Sequence, residues 1–242
     1  MRIAVAGGTG LIGTMVVDEL RSRGHEPVVL ARSTGADLVT GTGVAQVLDG
    51  TSTVIDVSNL ATMKARDSVA FFDAVARHLL ASGLEHLIAL SIVGIHRVDL
   101  GYYQGKRCQE ELLLADDRVS VLRATQFHEF AGQVLDRGRG PVAMVPRMHI
   151  QPVAAREVAT ALVDLVGHRP AGVVPELAGP EPFELIDLAR QLSRTRRSRR
   201  LAVPIRLPGA VGRQLIGGGL LPTTAGPRGV VTWAQWIARM CP

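Results

Sequence analysis

Apolar runs of strand length alternate with amphipathic stretches of helical length along most of the chain. The runs read RIAVAG, EPVVLAR, TVIDVSN, HLIALSIVG and SVLRAT, and a further run, VVPELAG, follows later. The stretches between and after them predict helices over 11–23, 65–82, 102–115, 127–137 and 183–193. Continuous apolar strands separated by helices are typical of a parallel sheet covered on both faces. With right-handed crossovers, the pattern predicts a doubly wound α/β fold.

The composition of the sequence changes after Gly140, where proline and glycine become more frequent and the predicted elements become shorter. We therefore predict a main α/β domain over 1–146 and a small C-terminal lobe over 147–242, interleaved with returns of the chain to the main sheet. The chain closes with the amphipathic stretch VTWAQWIARM. Its Trp233 and Trp236 lie three residues apart on one helical face, and we interpret them as packing residues.

The turn AGGTGLIG, between the first strand and the first helix, contains glycines three residues apart at Gly7, Gly10 and Gly13. Gly7 permits a tight turn, Gly10 lets a bulky anion approach the backbone, and Gly13 lets the helix pack against the strand. The start of the helix presents free N–H groups and a positive dipole end to a phosphate. In this strand–turn–helix context the motif predicts a dinucleotide site, formed by Gly7, Thr9, Gly10, Leu11, Ile12 and Gly13.

Composition narrows the class of protein. A chain of 242 residues, 47% of them hydrophobic, is expected to form a compact core. No uninterrupted apolar stretch reaches the length that spans a bilayer, so we expect no membrane partner. The N-terminus enters a strand where a signal peptide would need a longer apolar stretch, which predicts a cytoplasmic protein. Two cysteines, Cys108 and Cys241, and scattered histidines predict neither a disulfide framework nor a metal site.

Much of the formal net charge of +5 comes from one segment, RQLSRTRRSRR, over 190–200. Two interpretations stay open: a solvated helix end followed by a loop, or a patch that contacts phosphates. No aromatic residue is interleaved with these arginines, and no DNA-reading helix pattern surrounds them. We therefore do not expect a nucleic-acid partner.

Several segments together resemble the short-chain dehydrogenase/reductase superfamily, and within it the atypical NmrA-like branch. They are GGTGLIG, VLARS, VIDVSN, LSIVG, YYQGK followed by EELL, VLRATQFHEF, QPVAAREVA and ELAGPE, and they extend over almost the whole chain. The resemblance implies a Rossmann domain that binds NAD(P) and a small C-terminal substrate lobe. That branch contains both reductases and cofactor-binding sensors without chemistry, so the resemblance is more specific for fold and cofactor than for reaction.

The end of the second strand bears on which cofactor is bound. An NAD site usually has an acidic residue there, about twenty residues past the glycines, to bind the ribose 2′-hydroxyl. This chain reads Leu30-Ala31-Arg32-Ser33 instead. Arg32 can fork onto a 2′-phosphate and Ser33 can donate to it, which predicts NADP (NADPH), unless Arg32 is an ordinary surface residue. By resemblance, Val57, Ser58 and Asn59 flank the adenine and ribose, whereas Asp56 is open to a structural role.

Tyr102 and Lys106 lie four residues apart on one predicted helix face and match the Tyr-x-x-x-Lys pair of short-chain reductases. Ser91, at the end of the preceding strand, occupies the place of the family's polarising serine. We expect Tyr102 to donate a proton, and Lys106 to lower the pKa of Tyr102 and to contact the cofactor. Tyr103 stays open as a rival. Two departures count against the pair: only ten residues separate Ser91 from Tyr102, and in many NmrA-like relatives the tyrosine is not reliably catalytic.

The segment after strand 119–125 contains the candidates for substrate contact, Gln126, Phe127 and His128. His128 is either an acid/base or orienting group or a partly exposed histidine at a helix start. Further on, Met148, His149 and Gln151 are predicted to line a largely apolar pocket. Nothing in these residues identifies the substrate.

Taken together, these residues predict an NADPH-dependent oxidoreductase for a small, mostly apolar carbonyl, enone or quinone. One alternative keeps fold and cofactor but performs a non-redox isomerisation or cyclisation. Another is a non-enzymatic NAD(P) sensor that binds a partner protein, for which the arginine segment could serve as a docking site. Assembly into a homo-oligomer is left open.

Overall fold

The computed structural model of the protein describes residues 1–138 and 140–240. The chain divides into two compact units. The first comprises 1–92, 100–123 and 156–175, and the second comprises 93–99, 124–155 and 176–242. The chain therefore passes between the units several times, whereas the sequence analysis placed a single boundary at residue 146. Segment 156–175 is one of the expected returns to the main sheet.

The first unit is built on a six-stranded sheet in the order β2-β1-β3-β4-β5-β8. Parallel pairing joins β1 to β2 and β3, β3 to β4, and β5 to β8. The strands are β1 (Arg2–Ala6), β2 (Glu26–Leu30), β3 (Thr53–Asp56), β4 (His86–Ile92), β5 (Val119–Ala124) and β8 (Gly172–Val173). The crossovers contain α1 (Leu11–Ser22), α2 (Val44–Leu48), α3 (Ala65–Leu80), α4 (Gly101–Leu113) and α6 (Ala155–Asp164). The prediction of a doubly wound parallel α/β fold is confirmed.

Apolar side chains from the strands and from α3 form the core of this unit. Phe72, Val75, Ala76 and Leu79 of α3 are all buried, which is the face that the sequence periodicity predicted. Helices α3 and α4 approach closely at Gly105, where a Cβ would lie 2.2 Å from the Oγ of Ser68. The Ser68 hydroxyl donates to the carbonyl of Tyr102 at 2.8 Å. The close crossing fixes the start of α4 against α3.

The second unit contains two small sheets and short helices. Strands β6 (Val142–Pro146) and β10 (Leu201–Ile205) pair in parallel, and β7 (His149–Ile150) and β9 (Phe183–Glu184) pair antiparallel. The helices are α5 (Phe130–Leu135), α7 (Leu185–Thr195), α8 (Gly209–Ile216) and α9 (Trp233–Ala238). Trp233 is buried and stacks on Trp236 at 5.0 Å between ring centroids, which agrees with a packing role.

Local predictions failed where short elements compete with turns. Segment 32–48, in which the sequence analysis predicted no helix, contains a 3-10 turn at Arg32–Thr34 and the short helix α2. The run VVPELAG yields only the end of β8 and isolated bridges at Leu177 and Ala178, because Pro175 lacks the N–H that a longer ladder needs. Helix α5 begins three residues later than predicted, so Gln126, Phe127 and His128 lie in the loop before it.

No helix among residues 1–138 and 140–240 is long and apolar enough to cross a membrane. The described residues contain no cluster of histidine, cysteine and carboxylate groups that could hold a metal ion. Cys108 is a half-buried free thiol, and Cys241 lies outside the described residues.

Candidate functional site

The glycine turn after β1 is shaped by close backbone contacts at two of its three glycines. Gly7 has a φ of +78°, and a Cβ there would lie 2.8 Å from the Cα of Ser58. At Gly13 a Cβ would lie 2.1 Å from the carbonyl oxygen of Gly7, inside the packing of α1 on the turn. Both positions therefore require glycine for the fold itself.

Gly10 differs, because the protein does not fill the space beside it. A Cβ at Gly10 would meet only the Gly7 carbonyl oxygen, at 3.4 Å, which is ordinary contact. Gly10 is the N-cap of α1, and no described side chain caps this helix or places a carboxylate in its first turn. The first helical hydrogen bond runs from the amide of Thr14 to the carbonyl of Gly10, so the amides of the three residues between precede the helical ladder. Leu11, Ile12 and Gly13 thus supply backbone donors that fit an anion.

The end of β2 places Arg32 next to this turn. The amide of Gly7 donates to the carbonyl of Leu30 at 3.2 Å, and Arg32 begins the 3-10 turn two residues later. Arg32 and Ser33 are both exposed, and none of the described carboxylates forms an ion pair with Arg32. The nearby Asp37 carboxylate accepts the amides of Val39 and Thr40 within its own loop. A basic group, and no free acidic one, therefore follows β2.

The end of β3 brings Val57, Ser58 and Asn59 beside the same turn. The amide of Val57 donates to the carbonyl of Ala6 at 3.0 Å. The Ser58 hydroxyl is buried and has no hydrogen-bond partner in the described part of the chain. Asn59 is exposed, and its Oδ1 accepts the hydroxyl of Tyr102 at 2.7 Å.

Tyr102 lies in the first turn of α4. Burial raises the pKa of its hydroxyl, and the charges of Tyr103 and Asp56 raise it further. The sequence analysis expected Lys106 to lower this pKa, whereas the net shift is upward because burial dominates it. The hydroxyl consequently keeps its proton at neutral pH and can act as a donor. Tyr103, the rival, is 7% exposed.

Lys106 is enclosed by the protein, with 4% of its surface exposed. Its Nζ donates to the carbonyl of Leu90 at 2.7 Å and to the Oε1 of Gln109, and it lies 4.7 Å from the centroid of the Phe72 ring. Burial lowers the pKa of Lys106 to about 8, against the opposing charges of Asp56 and Glu110. The ammonium group of Lys106 is therefore held in place by Leu90, Gln109 and Phe72.

Asp56 and Gln109 complete this buried arrangement, and sequence reasoning did not find the role of Gln109. The Nε2 of Gln109 donates to Asp56 Oδ2 at 2.7 Å, and the amide of Ser58 donates to Asp56 Oδ1 at 2.9 Å. Burial raises the pKa of the Asp56 carboxyl, whereas Lys106 opposes that rise. Two features of the sequence could have indicated this arrangement. Asp56 is an acidic residue inside an apolar strand, and Gln109 follows Lys106 by three residues on the same helix.

Ser91, the third member of the expected catalytic set, lies on β4 directly after Leu90. It is 2% exposed, and within the described residues its Oγ has no hydrogen-bond partner. Buried polar atoms are nearly always satisfied by protein or by bound molecules. The unpartnered hydroxyls of Ser91 and Ser58 are therefore both suited to a polar ligand or an ordered water.

The substrate candidates belong to the second unit. Gln126 is 9% exposed, and neither atom of its amide has a partner in the described chain. His128 is almost fully buried, its Nε2 lies 3.1 Å from the carbonyl of Val231, and its ring contacts the rings of Trp233 and Trp236. Of the two interpretations from the sequence, the partly exposed histidine at a helix start is wrong, because the imidazole is buried and precedes α5.

The remaining candidates of the second unit, Met148, His149 and Gln151, are buried or form hydrogen bonds within that unit. Met148 is 5% exposed. His149 Nδ1 lies 2.6 Å from the carbonyl of Ile216, and Gln151 Nε2 donates to the carbonyl of Gly179 at 2.7 Å. The side chains of His149 and Gln151 thus contribute hydrogen bonds within the unit, and their role in an apolar pocket stays a prediction.

Comparison with known sequences gives one short match. No protein-family model matches the chain. A segment of 40 residues is 48% identical to the epimerase family protein SDR39U1 of Bos taurus. That segment is 16% of this chain and spans only 14% of the relative's length.

Comparison with solved structures gives matches over nearly the whole chain. A short-chain dehydrogenase/reductase superfamily protein from Agrobacterium tumefaciens, with bound NAD, matches at a TM-score of 0.72 and 17% identity, covering 100% of this chain and 96% of that chain. The UDP-N-acetylglucosamine 4-epimerase of Bacillus cereus matches at a TM-score of 0.68 and 14% identity. The match covers 99% of this chain and 95% of that chain. TunA, an NAD-dependent NDP-hexosamine 5,6-dehydratase, matches at a TM-score of 0.70 and 16% identity. The match covers 98% of this chain and 97% of that chain.

These likenesses show the Rossmann-like fold of short-chain dehydrogenase/reductase proteins. At such identities they do not transfer a reaction or a substrate to this chain. Membership of the NmrA-like branch stays a prediction.

Alanine substitutions at Gly10 and Gly13 should separate ligand binding from folding. We expect Gly13→Ala to lower the free energy of unfolding by about 1–3 kcal/mol, because the Cβ would displace α1. Gly10→Ala should cost less than about 1 kcal/mol but weaken dinucleotide binding, since the Cβ occupies the space beside the helix start. Denaturant unfolding and a fluorescence titration with NADPH measure the two effects. Unchanged NADPH affinity in Gly10→Ala would contradict the assignment of this turn.

The buried Lys106 should make stability depend on alkaline pH. Its folded pKa of about 8 lies below the ordinary value of 10.5, so above pH 8 the unfolded chain binds more protons at this group. The free energy of unfolding should therefore rise with pH from about 8 upward, by up to about 1.4 kcal/mol per unit.

Chemical unfolding at several pH values between about 7.5 and 9.5 measures this slope. Lys106→Met should lack the rise, whereas Lys64→Met, which removes the chain's other, exposed lysine, should retain it. Equal slopes in the wild type and Lys106→Met would show that the pKa of Lys106 is not lowered.

Proposed function

We propose that this protein is an NADPH-dependent oxidoreductase of the atypical short-chain dehydrogenase/reductase type. The observation that carries the proposal is the exposed Arg32, free of any described carboxylate partner, beside the uncapped glycine turn. A guanidinium at the end of β2 suits a 2′-phosphate, whereas the 2′-hydroxyl of NAD is usually bound by a carboxylate. We further propose that the chain belongs to the NmrA-like branch and acts in the cytoplasm.

The described residues fit a bound dinucleotide. The free space at Gly10 and the amides of Leu11, Ile12 and Gly13 suit the pyrophosphate, and Thr9 is exposed beside them. Arg32 and Ser33 would hold the 2′-phosphate, and Val57, Ser58 and Asn59 would flank the adenosine part. When bound, NADPH supplies a hydride from its nicotinamide ring.

For the reaction we propose that Tyr102 donates a proton to the substrate oxygen and that Ser91 donates a hydrogen bond to the same oxygen. The raised pKa of Tyr102 keeps the phenol protonated, and the unpartnered hydroxyl of Ser91 is available to a carbonyl. Tyr102 would have to exchange its hydrogen bond to Asn59 for one to substrate. The substrate class we propose is a small, mostly apolar carbonyl, enone or quinone.

A second function is favoured by the surroundings of Lys106. Its ammonium is already bound to Leu90 and Gln109, and burial raises the pKa of Tyr102 despite the nearby lysine. Those features suit an NAD(P)-binding sensor, in which Lys106 stabilises the site and Tyr102 has no chemical role. A non-redox isomerase or cyclase would use the same cofactor site.

The preference for NADPH should depend on Arg32. A charge-assisted guanidinium–phosphate contact contributes about 1.5–3 kcal/mol, so Arg32→Ala should weaken NADPH binding about tenfold or more and leave NADH binding nearly unchanged. Fluorescence titrations with both cofactors measure this, with the exposed Arg66→Ala as the control. Equal affinity of the wild type for NADPH and NADH would refute the preference.

Tyr102→Phe should separate the catalyst from the sensor. As a reductase, the variant should lose a factor of roughly 10²–10⁴ in kcat and keep its NADPH affinity, because only the proton donor is removed. Lys106→Met should lower both. Consumption of NADPH with a panel of quinones and ketones measures turnover, and Tyr103→Phe is the matched control.

The sensor predicts no turnover by the wild type with any of these compounds, and weaker NADPH binding only in Lys106→Met. Turnover that survives unchanged in Tyr102→Phe would show that another group supplies the proton.

A further inference from the structure

The arginine segment over 190–200 has a defined place in the second unit and takes no part in the proposed cofactor site. It begins in α7 and runs to the start of β10. Arg196 forms an ion pair with Asp136 at 3.2 Å. Arg194, Arg197 and Arg199 are exposed, and none of them is ion-paired to a carboxylate in the described ranges. These three cations are therefore available to an external anion.

The sheet formed by β6 and β10 has one apolar face open to solvent. Leu201 pairs with Val142, and Val203 pairs with Met144, so these four side chains share a face. Val142 is 44% exposed, Met144 67% and Leu201 65%. Of the alternate residues, Ala143, Val145 and Ala202 are buried, whereas Pro204 is exposed. Clustered exposed apolar side chains of this kind mark interaction sites.

The free arginines lie at the edge of this face. Arg199 and Arg200 directly precede Leu201, whose amide donates to the carbonyl of Pro141 at 2.7 Å. The Arg200 guanidinium donates to the carbonyls of Arg137 and Val142, both at 3.1 Å, and thereby ties the starts of β6 and β10 together. Arg137 and Arg199 therefore lie where both parallel strands begin, and Arg197 precedes Arg199 by two residues.

Arg197 has a left-handed backbone conformation at the end of α7. Its φ is +49°, in the left-handed region. The amide of Arg197 donates to the carbonyl of Arg194, and that of Ser198 to the carbonyl of Ser193, which is the hydrogen-bond pattern that usually places glycine at this position. An arginine here costs some backbone strain, and its side chain is exposed rather than bound within the fold.

We infer that the open face of β6 and β10, with the arginines at its edge, binds the surface of an anionic lipid membrane. We call it the basic apolar face, defined by Val142, Met144, Leu201, Val203, Arg137, Arg194, Arg197 and Arg199. Anionic lipids offer phosphates to the arginines and an apolar layer to the exposed side chains. A nucleic acid would leave Met144 and Leu201 unburied, and a second copy would bring two arginine clusters together. This inference revises the expectation of no membrane partner, which rested on the lack of a spanning segment.

Co-sedimentation with vesicles tests the basic apolar face. The full chain should bind vesicles of equimolar phosphatidylglycerol and phosphatidylcholine, bind pure phosphatidylcholine far more weakly, and lose binding as salt is raised. Each arginine contributes roughly fivefold to such partitioning, so Arg197→Gln/Arg199→Gln should reduce it roughly 25-fold. Met144→Ser should reduce it about tenfold, since an inserted apolar side chain is lost.

Matched controls keep charge and hydropathy changes comparable. Arg66→Gln/Arg156→Gln removes two exposed arginines of the first unit, and Met63→Ser removes an exposed methionine, so both should bind as the wild type. Circular dichroism checks that every variant is folded. Three results would overturn the inference: no vesicle binding, loss of binding that the control arginines share, or an arginine dependence with Met144→Ser neutral. The last pattern, with tighter binding to duplex DNA or RNA, would identify a nucleic-acid surface instead.

Discussion

A single buried chain of polar groups determines where the first unit can place its chemistry. The Nζ of Lys106 donates to the carbonyl of Leu90 and to the side-chain Oε1 of Gln109. The Nε2 of Gln109 in turn donates to the Asp56 carboxylate. Breaking a buried charge pair on one side costs about 3–5 kcal/mol, because the other charge is left uncompensated. These hydrogen bonds join the ends of β3 and β4 to the middle of α4.

The glycine turn depends on the same strand ends but obeys a different constraint. Gly7 must pass the backbone of Ser58, and Gly13 must pass the carbonyl of Gly7, so steric contact alone fixes two of the three glycines. Packing does not require glycine at position 10, and the space beside it is what our proposed dinucleotide would occupy. The Asp56 carboxylate, through the amide of Ser58, couples this turn to the buried polar chain.

The sequence predicted the parts of the fold that depend on local pattern. Strand β1, the start of α1 at Leu11 and the buried face of α3 follow from apolar periodicity and from the glycine spacing. Tertiary contacts decided what the sequence could not. The spacing of Tyr102 and Lys106 places them on one helix face, but it does not reveal that Lys106 turns to Leu90 and Gln109 while Tyr102 turns to Asn59. His128 likewise read as partly exposed, because Trp233 and Trp236, which enclose it, are more than a hundred residues away.

The contact between Tyr102 and Asn59 bears directly on whether this chain is a catalyst. A half-buried phenol bonded to an exposed amide loses a hydrogen bond worth about 1 kcal/mol when a substrate oxygen replaces that amide, and it regains one in the new contact. The exchange is therefore nearly neutral in energy and presents no barrier to catalysis. The larger obstacle is electrostatic, because burial raises the pKa of the phenol and makes it a weaker acid. Catalysis by Tyr102 therefore needs a group that stabilises the phenolate, whereas a sensor has no need of one.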